Sequence, residues 1–402
     1  MEFLLEKIRK ECPEAWQVWQ VLTAHHPQTF LVGGSVRNLF LGVPAKDYDL
    51  ATALTPAEII EIAKIEGWRA DEVGNSFGVV VLRHGDENIE VATFRKEGYG
   101  DDPHRPAWVE YGASLEEDLS RRDFTVNALA VTLSGQLVDL FGGQQDLKEK
   151  RIRAIGNPKD RFTEDALRML RAIRFASQFS FTIEEGTKEA IRLLGKDITR
   201  LSRERITGEL EKIWLSPNPA QAWGLFEELG LGEILFGSCW RGSGEGQKMN
   251  LLPAERVLRW GFVGWNLSKE AIGQKGLDKE TESRAMWLAS EADMKWQGLK
   301  TLRSWRESGL FRNETELRAG AEDWLRFREV IVGEKPEVAA EMRALLELPF
   351  FANQLAISGN EVLEFVAPGP AVGAKMQEMI GAIQEGQLAN EKAAILDYLA
   401  EK

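Results

Sequence analysis

Phe30, Leu31 and Val32 form a continuous apolar run that ends in Gly33-Gly34, after which Val36, Leu39 and Phe40 recur at helical spacing. That change of period predicts a strand, a tight turn and a helix that stops at Gly42 and Pro44. Ahead of this unit, Phe3, Leu4, Ile8, Trp16, Trp19 and Val21 mark 1–28 as one amphipathic helix. Behind it, Thr55 as N-cap, Pro56 in the first turn and Gly67 as a stop predict a second helix. "GVVVLRHGDENIEVATFR" (78–95) alternates and is interrupted at Gly85-Asp86, the pattern of a hairpin. "KEGYGDDPHRPAW" (96–108) has no period and is expected to be a long loop. Ser114 with Glu117 three residues on is a capping-box pattern, and an apolar strand-like run follows Arg121-Arg122-Asp123. "LVDLFGGQQDL" (137–147) closes this part with a further Gly-Gly turn, and beyond it the strand signal ends and the chain reads as helical.

Three stretches carry candidate chemistry. A helix that starts directly after paired glycines presents free N–H groups and a positive dipole end, a seat for phosphate in which Gly34 gives close backbone approach and Arg37 a fixed cation. Asp47 and Asp49 flank Tyr48, and on a strand both carboxylates would share one face. Two hard oxygen ligands of that kind suit Mg²⁺, which takes one or two carboxylates plus substrate phosphates. Glu90, on the second hairpin strand, is a candidate third carboxylate, and equally a surface residue. A tight turn and a solvated D-x-D are the plainer readings of each part alone; their spacing argues for a joint role.

The third stretch is 161–179, expected as a single helix capped by Thr163. At 100° per residue Ala166, Met169, Leu170, Ile173 and Ala176 fall on one side, and Asp165, Arg168, Arg171 and Arg174 on the other. A solvated face usually carries matched i,i+4 pairs, whereas this one is lopsided. Cytosine and adenine both present an amino donor beside a ring-nitrogen acceptor. Asp165 can accept from the first and Arg168 donate to the second, a pattern that uracil and guanine reverse.

Composition narrows the field without choosing within it. The 402 residues allow two to four domains, and 44% apolar content with 13 tryptophans implies real cores. A net charge of −13 argues against a nonspecific nucleic-acid binder but leaves room for a local basic surface. Cys12 and Cys239 alone supply neither a disulfide framework nor a zinc set, and the charged N-terminus reads unlike a signal peptide. With no apolar run of membrane-spanning length, a cytoplasmic protein is expected. Four histidines are too few for an appended metal phosphohydrolase domain.

"GGSVRN", "DYD", "RRDFTVNA" and "EDALR" together resemble the signature of the class II tRNA nucleotidyltransferases, the CCA-adding enzyme and poly(A) polymerase family. Asn38 stands where that family has Asp. The resemblance is strongest over 30–180 and recognisable at 344–402. It implies an α+β chain: a DNA polymerase beta-like head of small mixed sheet and helices (1–147), then an all-α neck for base selection (148–215), body (216–335) and tail (336–402). It implies addition of C, C and A to the 3′ end of tRNA from CTP and ATP, with Mg²⁺ as cofactor. Asp47 and Asp49 would be the metal ligands with Glu90 beside them; Gly34, Arg37, Arg122, Asp165, Arg168, Arg171 and Arg174 would bind nucleotide. It further implies that the 96–108 loop favours A addition, and Lys188–Lys212 is read as partly a basic surface for the acceptor stem. An A-adding-only enzyme and a poly(A) polymerase are the alternatives, with a catalytically dead RNA-binding relative further off.

Overall fold

The structure, a computed structural model, describes residues 2–44, 47–73, 78–99, 106–240, 242–273 and 275–401. The chain divides into two compact units, Met1–Gly246 and Gln247–Lys402. In the first unit Pro13 breaks the expected N-terminal helix in two, α1 (Glu2–Glu11) and α2 (Pro13–His25), because a proline favours the first turn of a new helix over the interior of an old one. Then come β1 (Thr29–Val32), α3 (Gly34–Leu41), β2 (Leu50–Thr52) and α4 (Pro56–Ile65), the last begun by a Thr55/Glu58 capping box. β3 (Arg69–Val73) is followed by the expected hairpin, β4 (Val79–His84) and β5 (Glu87–Thr93), turned at Gly85 with φ +60°.

The stretch read as a loop at 96–108 is largely an antiparallel ribbon, β6 (Arg95–Tyr99) with β7 (Pro106–Tyr111); residues 100–105 lie outside the described residues. Aromatic and β-branched residues at Tyr99, Trp108, Val109 and Tyr111 favour this over the Gly and Pro content. α5 (Leu115–Ser120), with its Ser114/Glu117 capping box, leads through β8 (Leu129–Thr132) and β9 (Leu137–Asp139) to α6 (Gly143–Lys148). The seven-stranded sheet runs β3-β4-β5-β2-β1-β8-β9, antiparallel except where β2 pairs with β5. One of its faces buries Phe30, Val32, Ala51, Phe94, Leu119 and Ala130.

The strand signal does not end at 147. β10 (Arg151–Ile152) pairs in parallel with β11 (Thr182–Ile183), two residues from each side of a helical pair, too short for periodicity to register. Between them the single helix expected over 161–179 is two, α7 (Pro158–Glu164) and α8 (Leu167–Phe179). Asn157, not Thr163, caps the first; Asp165 is extended (φ −150°, ψ 103°) and its Oδ1 accepts from the Leu167 N–H at 3.0 Å, starting the second. The break follows from an aspartate's preference for capping over helix interior. α9 (Glu185–Leu194), α10 (Arg203–Trp214), α11 (Pro219–Glu228) and α12 (Leu231–Phe236) complete the unit, with α8 packed on α10 and α11. Met169, Leu170 and Ile173 are fully buried there, each contributing about 1.5–3 kcal/mol.

The second unit is helical. The helix Arg256–Asn266 packs against Lys279–Glu291, Trp287, Trp296, Trp305 and Trp324 form an aromatic cluster, and Leu355–Leu399 build a separate apolar core. Among the described residues no helix is long and apolar enough to cross a membrane.

Candidate active site

The strand–turn–helix unit β1–α3 forms one wall of a cavity of about 650 Å³. Gly33 sits at φ +72° and its N–H donates to the Leu129 carbonyl at 3.2 Å. A Cβ there would lie 2.9 Å from Arg122 Nη1, so only glycine fits both the turn and the arginine. Arg37 is buried beneath. Its guanidinium donates to Asn127 Oδ1 and, through Nε and Nη2, to Asn38 Oδ1 at 3.2 and 3.0 Å. The amide at 38 therefore supplies both acceptor contacts without a charge. Burial lowers the Arg37 pKa to about 10, Arg174 and Arg171 push the same way, and Asp123 opposes them. The cation stacks over Phe179 and Phe175 at 4.6 and 5.1 Å.

The acidic end comes from the sheet. Asp47, Tyr48 and Asp49 lie just before β2 rather than on it, although the Val32 N–H donates to the Asp49 carbonyl at 3.0 Å and extends the ladder. Alternation still holds in outline: Tyr48 is buried, while Asp47 and Asp49 both line the cavity, Asp47 also bordering the small cavity on the Tyr48 side. The Tyr48 hydroxyl donates to Glu11 Oε2 at 2.9 Å, and burial with this contact holds the phenol well above its usual range. Leu50 registers with Val91, so one step back along both strands Asp49 neighbours Glu90. Burial, then Glu90 and Asp47, raise the Asp49 carboxyl to about 6 against the pull of Arg122. Glu90 itself is exposed and is not among the lining residues. Among the described residues no three carboxylate, imidazole or thiolate side chains group closely enough to chelate one ion. The donor set present, two neighbouring carboxylates of which Asp49 is held toward its protonated form by burial and nearby negative charge, fits Mg²⁺, which fills its remaining positions with water and phosphate.

Opposite stands α8. Arg168 is buried, with Nη1 donating to Glu164 at 2.9 Å and Nη2 to the Arg121 carbonyl at 3.0 Å. Arg171 pairs with Asp123 at 2.6 Å, Arg174 with Glu209 at 3.2 Å, and Asp165 with Arg205 at 3.0 Å. Asp123 is fully enclosed, and although burial opposes ionisation, Arg171 and Asn127 hold its carboxyl below the ordinary range. Arg122 is fixed by Asp118 at 3.3 Å and by the Asn127 carbonyl at 3.3 Å. Seven arginines and four aspartates line this cavity of an acidic protein.

Of the residues singled out by sequence, Gly34, Arg37, Asp47, Asp49, Arg122, Asp165, Arg168, Arg171 and Arg174 all reach the cavity, and Glu90 stands beside it. Asp123, Asn127, Phe175, Gln178 and Arg205 also line it and were not marked. Phe175 and Gln178 continue the i, i+3, i+4 row of Arg171 and Arg174, a signal available in the sequence. Arg205 was counted with the basic stretch 188–212, and its turn inward follows only from packing of α10 on α8. Elsewhere in that stretch Lys188 and Arg192 pair with Glu228, and Lys212 with Glu209.

A family described as "Poly A polymerase head domain" matches residues 29–153, the sheet and the glycine turn, and one described as "Probable RNA and SrmB- binding site of polymerase A" matches 180–239. The CCA-adding enzyme of Geobacillus thermodenitrificans is 34% identical over 403 residues, covering 97% of this chain and 96% of its own. This chain belongs to the CCA-adding enzyme family. The CCA-adding enzyme of Enterococcus faecalis is 33% identical over 426 residues, with 98% and 97% covered. The crystal structure of the Bacillus stearothermophilus CCA-adding enzyme in complex with CTP superposes with a TM-score of 0.77 at 29% identity, covering 97% of this chain and 96% of that one. That agreement extends the family's mixed α/β head and helical remainder to nearly the whole length.

Proposed function

We propose that this chain adds C, C and A to the 3′ end of tRNA, taking CTP and ATP and releasing pyrophosphate without a nucleic-acid template. The observation that carries the reading is the division of one cavity into a carboxylate end and a guanidinium end, the complement of a metal-bound triphosphate. Asp47 and Asp49 would hold Mg²⁺, with Glu90 adding to the local charge. When bound, the metal supplies activation of the tRNA 3′-hydroxyl and stabilisation of the leaving pyrophosphate. Gly34 and the start of α3 seat phosphate, Arg37 fixes their position, and Arg122 reaches sugar or phosphate oxygens. Arg171 and Arg174 make that end of the cavity attractive to polyanions.

Asp165 and Arg168 read the base. Arg205 and the Leu167 N–H leave Asp165 an acceptor-only carboxylate with lone pairs to spare. Arg168 spends part of its fork on Glu164 and main-chain carbonyls, which holds the remainder in one orientation. A base with the reversed pattern would set carbonyl against carboxylate and leave buried groups unpaired, the situation that rejects most strongly. The names of the full-length relatives support CCA over A addition alone. Two free cysteines suit a reducing cytoplasm. The test is incubation of tRNA lacking its CCA end with each labelled triphosphate. Incorporation of two C and one A supports the reading; equal use of UTP or GTP, or A added to CC-ended tRNA with no C added to tRNA lacking its CCA end, overturns it.

A further inference from the structure

Among the described residues, the Asp47–Asp49 segment joins the sheet through Asp49. The Val32–Asp49 hydrogen bond closes the ladder, and Tyr48 and Asp47 run on beyond it. What Tyr48 does have is a ring 7% exposed and a hydroxyl aimed at Glu11, the last residue of α1. Lys7, one turn back, lies 3.8 Å from the other Glu11 oxygen. A small cavity of about 190 Å³ lies beneath, bounded by Glu11, Cys12, Asp47, Tyr48 and Asn88. α1 also precedes the matched head region, residues 29–153, so this support comes from outside it.

We propose that Tyr48 and Glu11 form a positioning pair: the phenol, tethered to the N-terminal helix, sets the spacing of the two flanking carboxylates for the metal ion. The proposal rests on the reading of Asp47 and Asp49 as the metal pair. Alternation makes the coupling direct, since any shift of the Tyr48 ring moves both neighbours on the opposite face together. Groups one shell out from a metal typically govern its affinity by about 10–100-fold. The pair acts on where the carboxylates stand, not on the chemistry itself. Saturating metal therefore compensates for its loss.

The experiment uses the full chain with Mn²⁺ alone as probe, free ion being read by electron paramagnetic resonance. Tyr48→Phe keeps the ring and removes the tether, and is expected to weaken Mn²⁺ binding about 10-fold. Glu11→Ala should match it, whereas Glu11→Gln, whose amide oxygen still accepts from the phenol, should stay within about threefold of the parent. In turnover, Tyr48→Phe should need about 10-fold more Mg²⁺ for half-activation while kcat at saturating metal recovers. Parental Mn²⁺ affinity in both Tyr48→Phe and Glu11→Ala overturns the proposal, as does Glu11→Gln failing as badly as Glu11→Ala. Asp49→Asn separates the two layers: undiminished Mn²⁺ binding in that variant removes the metal-pair reading itself, whatever Tyr48→Phe shows.

Discussion

The two ends of the cavity are built on opposite electrostatic plans. At the sheet end, burial and then the neighbouring Glu90 and Asp47 raise the Asp49 carboxyl to about 6, with Arg122 as the opposing cation. At the helix end every charge has a partner: Asp165 with Arg205, Arg168 with Glu164, Arg171 with Asp123, Arg174 with Glu209. The first arrangement is finished only when a cation arrives. The second is already paired within itself. On the proposed reading, chemistry and selection would sit on different supports, a strained one and a settled one.

The sharpest way to break this contrast is at Asp49. Asp49→Asn should cost on the order of 10³-fold in kcat or more, through loss of a ligand to the metal. The same change relieves like-charge repulsion, so thermal melts in chelator should show a Tm about 2 °C higher than the parent. A lower Tm would mean the acidic end is not strained. Next, Asp165→Ala should reduce discrimination of CTP over UTP about 100-fold, measured as the ratio of kcat/KM values. Arg205→Ala tests whether that acid needs its partner. A fall of about 10-fold in kcat/KM for CTP is expected, with Arg205→Lys intermediate because a point charge replaces the fork.

The acidic end also has a pH signature. The folded Asp49 carboxyl lies near 6, above the unfolded value of about 4. The native state therefore holds the proton more tightly, and its contribution to stability is present at low pH and lost as pH rises from about 4 through 6. Metal must displace that proton. The Mg²⁺ concentration for half-activation should rise by about 10-fold per pH unit below 6 and level off above it. The smallest effect is expected at Asn38, beside Arg37. Asn38→Asp should change kcat/KM by about twofold or less, since the amide oxygen already accepts both Arg37 contacts.

What could be read from the chain alone was whatever depends on local chemistry. Paired glycines before a helical period, Thr55 and Ser114 as caps, and the Gly85 hairpin were legible because each is decided within a few residues. The apolar stripe of α8 was legible because 3.6-residue periodicity survives the loss of its first turn. The break at Asp165 was not, since carboxylates read equally well as first-turn residues or as caps until the backbone chooses. The β6–β7 ribbon was hidden by its own Gly and Pro content, and β10–β11 by being two residues long. Arg205 and Glu209 were invisible as site residues for a further reason. Both depend on the approach of α10 to α8, some 40 residues apart, and no single-sequence pattern encodes that approach.

Gly33 has a consequence for anyone who would rebuild this cavity elsewhere. Its φ of +72° belongs to the turn, and the 2.9 Å clearance belongs to Arg122, which Asp118 in turn holds. The glycine turn and the 118–122 segment are therefore one transplantable part. Moved separately, the first would open on empty space and the second would have nowhere to lie.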